Sequence, residues 1–211
     1  MQRKQNSSDE ANPAPTTMTT TPTTTTATTT ATTTTATAPN INYVCVADLQ
    51  YINIEGIEKE KSLIQKVAGM LFEESPNSTA GIWSYGSVIR TKDFAKVFDN
   101  MRDTYAEFKA DLTVAMLRGL QHNDLGENLS VINTAVDSKG RANRLLFMCG
   151  ADTIGENWII SPSYNYTKIV VVSLQGADFT GHVDDRGLII NVPLDDYKDE
   201  DVQKIVEALL S

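Results

Sequence analysis

Four short, mostly apolar runs recur along the larger, second part of the chain, at 42–47, 145–149, 169–174 and 188–192. They are rich in valine, isoleucine and leucine. Runs that are apolar on both faces are typical of strands in a parallel sheet that helices cover on both sides. The segment 80–89 predicts one or two further strands.

Helical spacing of apolar residues separates these strands. Residues 57–72 carry an apolar stripe with lysine and glutamate between its members. Residues 94–120 carry two stripes with a break near Asp103, which predicts two helices, and a further helix is predicted over 127–137. The chain closes with the spacing of an amphipathic helix, at Val202, Ile205, Val206, Leu209 and Leu210.

Strands that alternate with helices predict a doubly wound α/β domain, with a mostly parallel sheet and helices on both faces. In such sheets ligands bind where the strands end, at the point where the strand order reverses. The loop 48–52, which follows the first predicted strand, is therefore the first place to look for function.

The first 39 residues have a different composition. Between Thr16 and Thr37, 17 of 22 residues are threonine, and no alternation of apolar and polar faces is present. Such a segment buries too little apolar area to offset the entropy of ordering it. We interpret 1–39 as a disordered tether and 40–211 as one folded domain. The tether is interpreted either as a plain spacer or as an O-glycosylated stalk, which Ser/Thr-rich segments with proline resemble.

Charge narrows the choice of partners. The chain has 18 basic and 27 acidic side chains and a net charge of −9, which argues against nucleic acid or an anionic membrane. No stretch approaches the roughly 18 apolar residues of a membrane span, and no apolar segment of a signal peptide follows the start. Sequons at Asn77, Asn128 and Asn165 are candidate N-glycosylation sites if the chain is secreted. The stalk-like threonines and the sequons favour an extracellular location, whereas the start of the chain does not.

Motifs for catalysis are weak. The sequence contains neither a G-x-G-x-x-G nor a P-loop motif, and Ser84 lies inside a predicted strand rather than at a nucleophile elbow. His122 and His182 are the two histidines, each in a predicted loop. Cys45 and Cys149 lack a zinc or redox spacing and are interpreted as buried thiols, with a disulfide between strands as the alternative.

The order of elements resembles that of a von Willebrand factor A-type (vWA) domain. A strand ending at Asp48, a long helix and Gly-Ile-Trp-Ser-Tyr-Gly-Ser at 81–87 resemble the opening of that family. The segment 111–117 resembles its threonine loop, 144–152 its fourth strand, and 188–210 its closing strand and helix. The resemblance covers about 40–211 and implies a protein-interaction or adhesion module.

The resemblance also implies a metal-ion-dependent adhesion site, which here is degenerate. The family's first loop reads Asp-x-Ser-x-Ser, whereas this chain has Asp48-x-Gln50-x-Ile52. A hard cation such as Mg²⁺ requires oxygen ligands, and isoleucine supplies none. The remaining candidate ligands are Asp48, Gln50, Asp111, Thr113 and Asp152. With most of the pattern missing, we expect no bound cofactor and no divalent cation.

Three hypotheses follow. The first is a non-catalytic module that binds a protein partner through the strand-end loops without metal. The second is a small doubly wound enzyme that acts at the same loops, which would require a deep pocket holding Asp48 beside a perturbed carboxylate or histidine. The third is a structural domain of a longer extracellular protein.

Overall fold

The computed structural model describes residues 40–50, 53–88, 93–119, 121–123, 125–163 and 165–211. The predicted tether, 1–39, lies outside the described residues, as do Tyr51 and Ile52. A central sheet is formed by six strands: β1 Asn42–Leu49, β2 Thr79–Val88, β3 Gln121–Asn123, β4 Asn143–Cys149, β5 Tyr166–Ser173 and β6 Gly187–Asn191. The described helices are α1 Ile54–Glu74, a 3₁₀ helix Phe94–Asn100, α2 Tyr105–Ala115, α3 Leu125–Thr134 and α4 Asp199–Leu210.

The strand order is β3-β2-β1-β4-β5-β6, and only the short β3 runs antiparallel to its neighbour. The chain moves from β1 to β2 on one side and later places β4 on the other side of β1. The order therefore reverses between β1 and β4, beside Asp48. The predicted doubly wound, mostly parallel sheet is confirmed.

Two apolar cores lie on opposite faces of this sheet, as the double-faced apolar runs predict. One core packs α1, α2 and α4 against side chains such as Tyr43 and Val170. The other packs the 3₁₀ helix, α3 and the segment before β6 against side chains such as Val44 and Val171. Because helices cover both faces of the sheet, the ends of the strands are the part of the sheet that the helices leave uncovered.

The predicted break near Asp103 is present. The 3₁₀ helix ends at Asn100, and Thr104 caps α2 by accepting a hydrogen bond from the Glu107 N–H at 3.3 Å. The structure differs from the prediction beyond this point, because α2 ends at Ala115 and is followed by β3. β3 consists of three polar residues, which pair with residues 86–88 of β2. Because they form no apolar pattern, the sequence does not predict this strand.

The two cysteines are buried free thiols, so the disulfide alternative is wrong. Cys45 pairs in register with Leu146 on the neighbouring strand, and Cys149 lies three residues further along that strand. An odd separation along a strand places the two side chains on opposite faces of the sheet. Cys45 accordingly lies in one core and Cys149 in the other.

The prediction of N-glycosylation needs correction at two of the three sequons. Asn128 and Asn165 are only 4% and 7% exposed, and a glycan must project into solvent. Neither residue can carry one in the folded domain, whereas Asn77 is exposed in a turn. Among the helices in the described ranges, none is both long and apolar enough to cross a membrane.

Candidate functional site

Asp48, the last-but-one residue of β1, is completely buried at the point where the strand order reverses. Its Oδ1 accepts a hydrogen bond from the Gln50 N–H and its Oδ2 accepts one from the Gly150 N–H, both at 2.7 Å. Gly150 directly follows β4. The carboxylate therefore ties the loop after β1 to the loop after β4, and we call this arrangement the Asp48 clasp.

A second carboxyl group, Glu60 of α1, supports the clasp from the helix side. Its Oε1 accepts a hydrogen bond from the Asp48 N–H at 2.8 Å, and its side chain is fully buried. Burial raises the pKa of the Glu60 carboxyl well above its usual range, and the charge of Asp48 raises it further. At neutral pH this favours the protonated, neutral form of Glu60.

Glu60 could have been found from the sequence. It lies three residues after Ile57 and four before Ile64, so it shares their face of the helix. An acidic residue on the buried stripe of an amphipathic helix needs a buried partner. Here that partner is the backbone of the strand end, which sequence spacing does not identify.

Tyr85 and Cys149 complete the buried surroundings of Asp48. The Tyr85 hydroxyl donates to the Met148 carbonyl at 3.2 Å, and burial followed by the Asp48 charge raises the pKa of this phenol. Burial and then the same charge raise the pKa of the Cys149 thiol to about 12. Both groups are therefore neutral near pH 7, which limits Cys149 to a weak nucleophile.

The candidate metal ligands do not converge. Both oxygens of Asp48 are engaged by backbone N–H groups inside the protein, and Asp152 is exposed in the loop after β4. Asp111 and Thr113 lie within α2 instead of a strand-end loop; Asp111 pairs with Arg102 at 2.6 Å, and the Thr113 hydroxyl donates to the Lys109 carbonyl. Over the described part of the chain, no group of three or more acidic, histidine or cysteine side chains could hold a metal. The residues present therefore do not fit the cation site that the resemblance implies.

Gln50 is the remaining candidate ligand. Its backbone N–H donates to Asp48, and its side-chain Oε1 is buried without a hydrogen-bond partner among the described residues. Its neighbours Tyr51 and Ile52 are not described. One unpaired amide oxygen does not by itself form a cation site, because both oxygens of the neighbouring Asp48 already accept hydrogen bonds from backbone N–H groups.

An open groove lies next to the clasp, along the carboxyl ends of β5 and β6 and the first turn of α1. Its volume is about 720 Å³. We call it the strand-end groove, and it is lined by Asn53, Gly56, Ser173, Leu174, Gln175, Gly176, Asn191, Val192, Pro193, Leu194 and Asp195.

Hydrogen bonds hold the walls of the strand-end groove in place. Asn53 caps α1 by accepting a hydrogen bond from the Gly56 N–H at 2.7 Å. Lys59 joins the two walls, because its Nζ lies 2.8 Å from both Glu55 and Asp195. The groove is thus a preformed concave surface, and Ile54, which directly follows the lining residue Asn53 in the chain, is 69% exposed.

The lining of the strand-end groove is not that of a catalytic pocket. Asp48 and Glu60 are buried and do not line it, and the carboxylate in its wall, Asp195, is engaged by Lys59. His182 lies in a turn before β6, where its Nδ1 is 2.8 Å from the Trp158 carbonyl oxygen. Among the described residues, the arrangement does not join a perturbed acid or base to the groove.

Glu60→Gln is expected to flatten the dependence of stability on pH. Because the folded-state pKa of Glu60 is raised, its contribution is fully present below the unfolded carboxyl pKa and is lost as pH rises through the folded value. One such proton changes the free energy of unfolding by up to ~1.4 kcal/mol per pH unit. Glutamine keeps the acceptor for the Asp48 N–H and cannot ionise, so urea unfolding from pH 5.5 to 8.5 should show a smaller loss for the variant.

Glu58→Gln is the matched control, because Glu58 lies on the exposed side of the same helix, where it pairs with Lys61. It should follow the unsubstituted protein at every pH. Equal slopes for all three proteins would show that Glu60 does not titrate differently in the folded state.

Comparisons with protein-family models and with curated proteins find no match. Similar solved structures include the vWA domain of SpRpn10, at 12% identity and a TM-score of 0.47 over 80% of this chain and 94% of that one. A von Willebrand factor type A protein from Catenulispora acidiphila is 8% identical, with a TM-score of 0.49 over 81% of this chain and 43% of that one. The conserved hypothetical protein BatB from Bacteroides thetaiotaomicron is 14% identical, with a TM-score of 0.47 over 80% and 97%.

The strand order is that of the doubly wound sheet that the order of elements predicts, and the similar solved structures include vWA domains, the family that this order resembles. At these identities the likeness concerns the fold alone. What the strand-end edge of this domain does has to be argued from its own residues.

Proposed function

We propose that this domain is a non-catalytic protein-interaction module that binds its partner at the strand-end groove without a metal ion. The observation that carries the proposal is the mixed apolar and polar lining of the groove. Ile54, which directly follows the lining residue Asn53 in the chain, is 69% exposed. Surfaces that bind other proteins combine apolar groups with polar groups that make hydrogen bonds at the rim.

Rigidity of the groove supports binding. The cap at Asn53 and the Lys59 bridge fix the two walls before a partner arrives, so less conformational entropy is lost on association. The lining combines apolar Leu174, Val192 and Pro193 with the amides of Gln175 and Asn191. This mixture suits a polypeptide segment that inserts an apolar side chain and makes backbone hydrogen bonds at the edge.

The metal-free part of the proposal is supported by the Asp48 clasp. In the family that this chain resembles, the corresponding aspartate faces the cation and the partner. Here both oxygens of that carboxylate hold loops together inside the domain. The partner is therefore expected to contact protein atoms of the groove directly.

Ile54→Glu is expected to reduce partner capture about tenfold, which corresponds to a loss of roughly 1.4 kcal/mol of binding free energy. The tagged full-length chain is used as bait, and captured proteins are quantified by mass spectrometry. Val136→Glu is the matched control, because Val136 is 46% exposed and lies before β4, at the opposite end of the sheet.

Only proteins retained by the unsubstituted chain and by Val136→Glu, and lost with Ile54→Glu, support the proposal. A set of captured proteins that is unchanged by Ile54→Glu would overturn it, as would equal losses with both substitutions. Adding EDTA or Mg²⁺ to the capture should not alter the outcome.

A further inference from the structure

The sheet ends at β6, whose outer edge no strand in the described ranges covers. The sequence of this strand is Gly-Leu-Ile-Ile-Asn, without charge or proline. Leu188 is 44% exposed there. Natural edge strands are usually protected by lysine, proline, a bulge or a covering element, because their unpaired backbone groups recruit other strands.

The backbone of β6 has one side available for pairing. In its parallel ladder with β5, the Arg186 carbonyl accepts from the Ile169 N–H and the Val192 N–H donates to the Ser173 carbonyl. Alternate residues of a strand direct their backbone groups to opposite sides, so Ile189 and Asn191 direct theirs away from β5. Ile189 is the central residue of the strand.

A groove of about 570 Å³ runs beside this edge, between β6 and α4. The helix contributes Lys204, Glu207, Ala208 and Ser211, which are spaced i, i+3, i+4 and i+7 and form one stripe. Lys204 is 62% exposed in its side chain although it also pairs with Asp201. The stripe therefore carries one accessible positive and one negative charge next to an apolar strand.

We propose that β6 pairs antiparallel with β6 of a second copy of this chain, forming a two-fold dimer with one continuous sheet. A two-fold axis perpendicular to the sheet and midway between the two Ile189 residues pairs their outward N–H and C=O groups with each other. The same axis places the two α4 helices antiparallel on one face of the joined sheet. An isologous interface must be self-complementary, since each patch meets its own copy.

Charge complementarity selects a second copy as the occupant. Across the axis, Lys204 of each chain approaches Glu207 of the other, and the acidic first turn of each α4 approaches the C-terminal end of the other helix. Lys168 lies at that end and donates to the Ser211 hydroxyl at 2.5 Å. Antiparallel helix dipoles add to this attraction.

Sedimentation velocity of the full-length chain tests the dimer. At about 50 µM, well above a dissociation constant on the order of 1 µM, the unsubstituted protein should sediment as a dimer. Ile189→Pro removes an outward N–H without removing a bond to β5 and should raise the dimer dissociation constant at least ~100-fold. A monomeric unsubstituted protein, or a dimer that is insensitive to Ile189→Pro, overturns the proposal.

Charge exchange supplies a test that does not disturb the strand. Glu207→Lys should weaken the dimer about tenfold because like charges then face each other. The double variant Lys204→Glu/Glu207→Lys restores opposite charges and should return the dissociation constant to within about threefold of the original. Failure of the double variant to recover, with an unchanged thermal midpoint, would place the interface elsewhere and overturn the proposal.

Discussion

Gly86→Ala is expected to lower the free energy of unfolding by about 3 kcal/mol or more, because two separate costs meet at this residue. Gly86 has φ = +91°, which L-residues rarely adopt. A Cβ there would also lie 2.2 Å from the backbone nitrogen of Gln50 and 2.4 Å from the carbonyl carbon of Leu49. Neither atom belongs to a flexible side chain, so the strand end itself would have to move.

Gly140→Ala separates the two costs. Gly140 also has positive φ, at +65°, but a Cβ there meets nothing within 4 Å. Its substitution should cost only about 1 kcal/mol, from the backbone conformation alone. Chemical denaturation of the three proteins measures the difference, and equal losses for both variants would show that β1 and β2 do not approach rigidly at Gly86.

The close approach at Gly86 has a functional consequence. Gly86 is in register with Leu49, directly after Asp48. A displaced strand end would also move the Gln50 N–H that the Asp48 carboxylate binds. We therefore expect Gly86→Ala to weaken the clasp as well as the sheet.

Much of the fold could be predicted from the sequence because its signals are local. Runs such as 169–174 are apolar on both faces, and only a covered parallel strand buries both faces at once. The predicted closing helix repeats apolar residues on one stripe, and the structure has this helix as α4. β3 carries no such signal, because its three residues are polar and its strand conformation is seen in its pairing with β2.

The candidate site could be predicted only in part, because its residues are brought together from distant parts of the chain. The topology places Asp48 at the reversal of strand order, and this position follows from the strand pattern. The direction of its carboxylate depends on Gly150, which lies 102 residues away. The strand-end groove likewise joins Asn53 to Gln175 and Pro193, which no spacing rule connects.

Asp48→Asn is expected to lower the free energy of unfolding by about 2–4 kcal/mol, although asparagine has nearly the same shape. The carboxylate accepts from two N–H groups through two different oxygens. Asparagine has one oxygen, so its amide nitrogen would face an N–H donor in a buried site, and one backbone group would lose its partner.

Asp152→Asn is the matched control, and the pair of variants separates a clasp from a cation site. Asp152 is exposed after β4 and should change stability by less than about 0.5 kcal/mol. In a cation site, both substitutions would abolish stabilisation by Mg²⁺, since a ligand that binds only the folded state stabilises it by mass action. In a clasp, only Asp48→Asn is destabilising, and its effect on the free energy of unfolding is the same in EDTA as in about 10 mM Mg²⁺. Titration calorimetry that gave a Mg²⁺ or Mn²⁺ dissociation constant well below about 1 mM would contradict the clasp, because a carboxylate held by two backbone N–H groups cannot also fill a cation's inner shell.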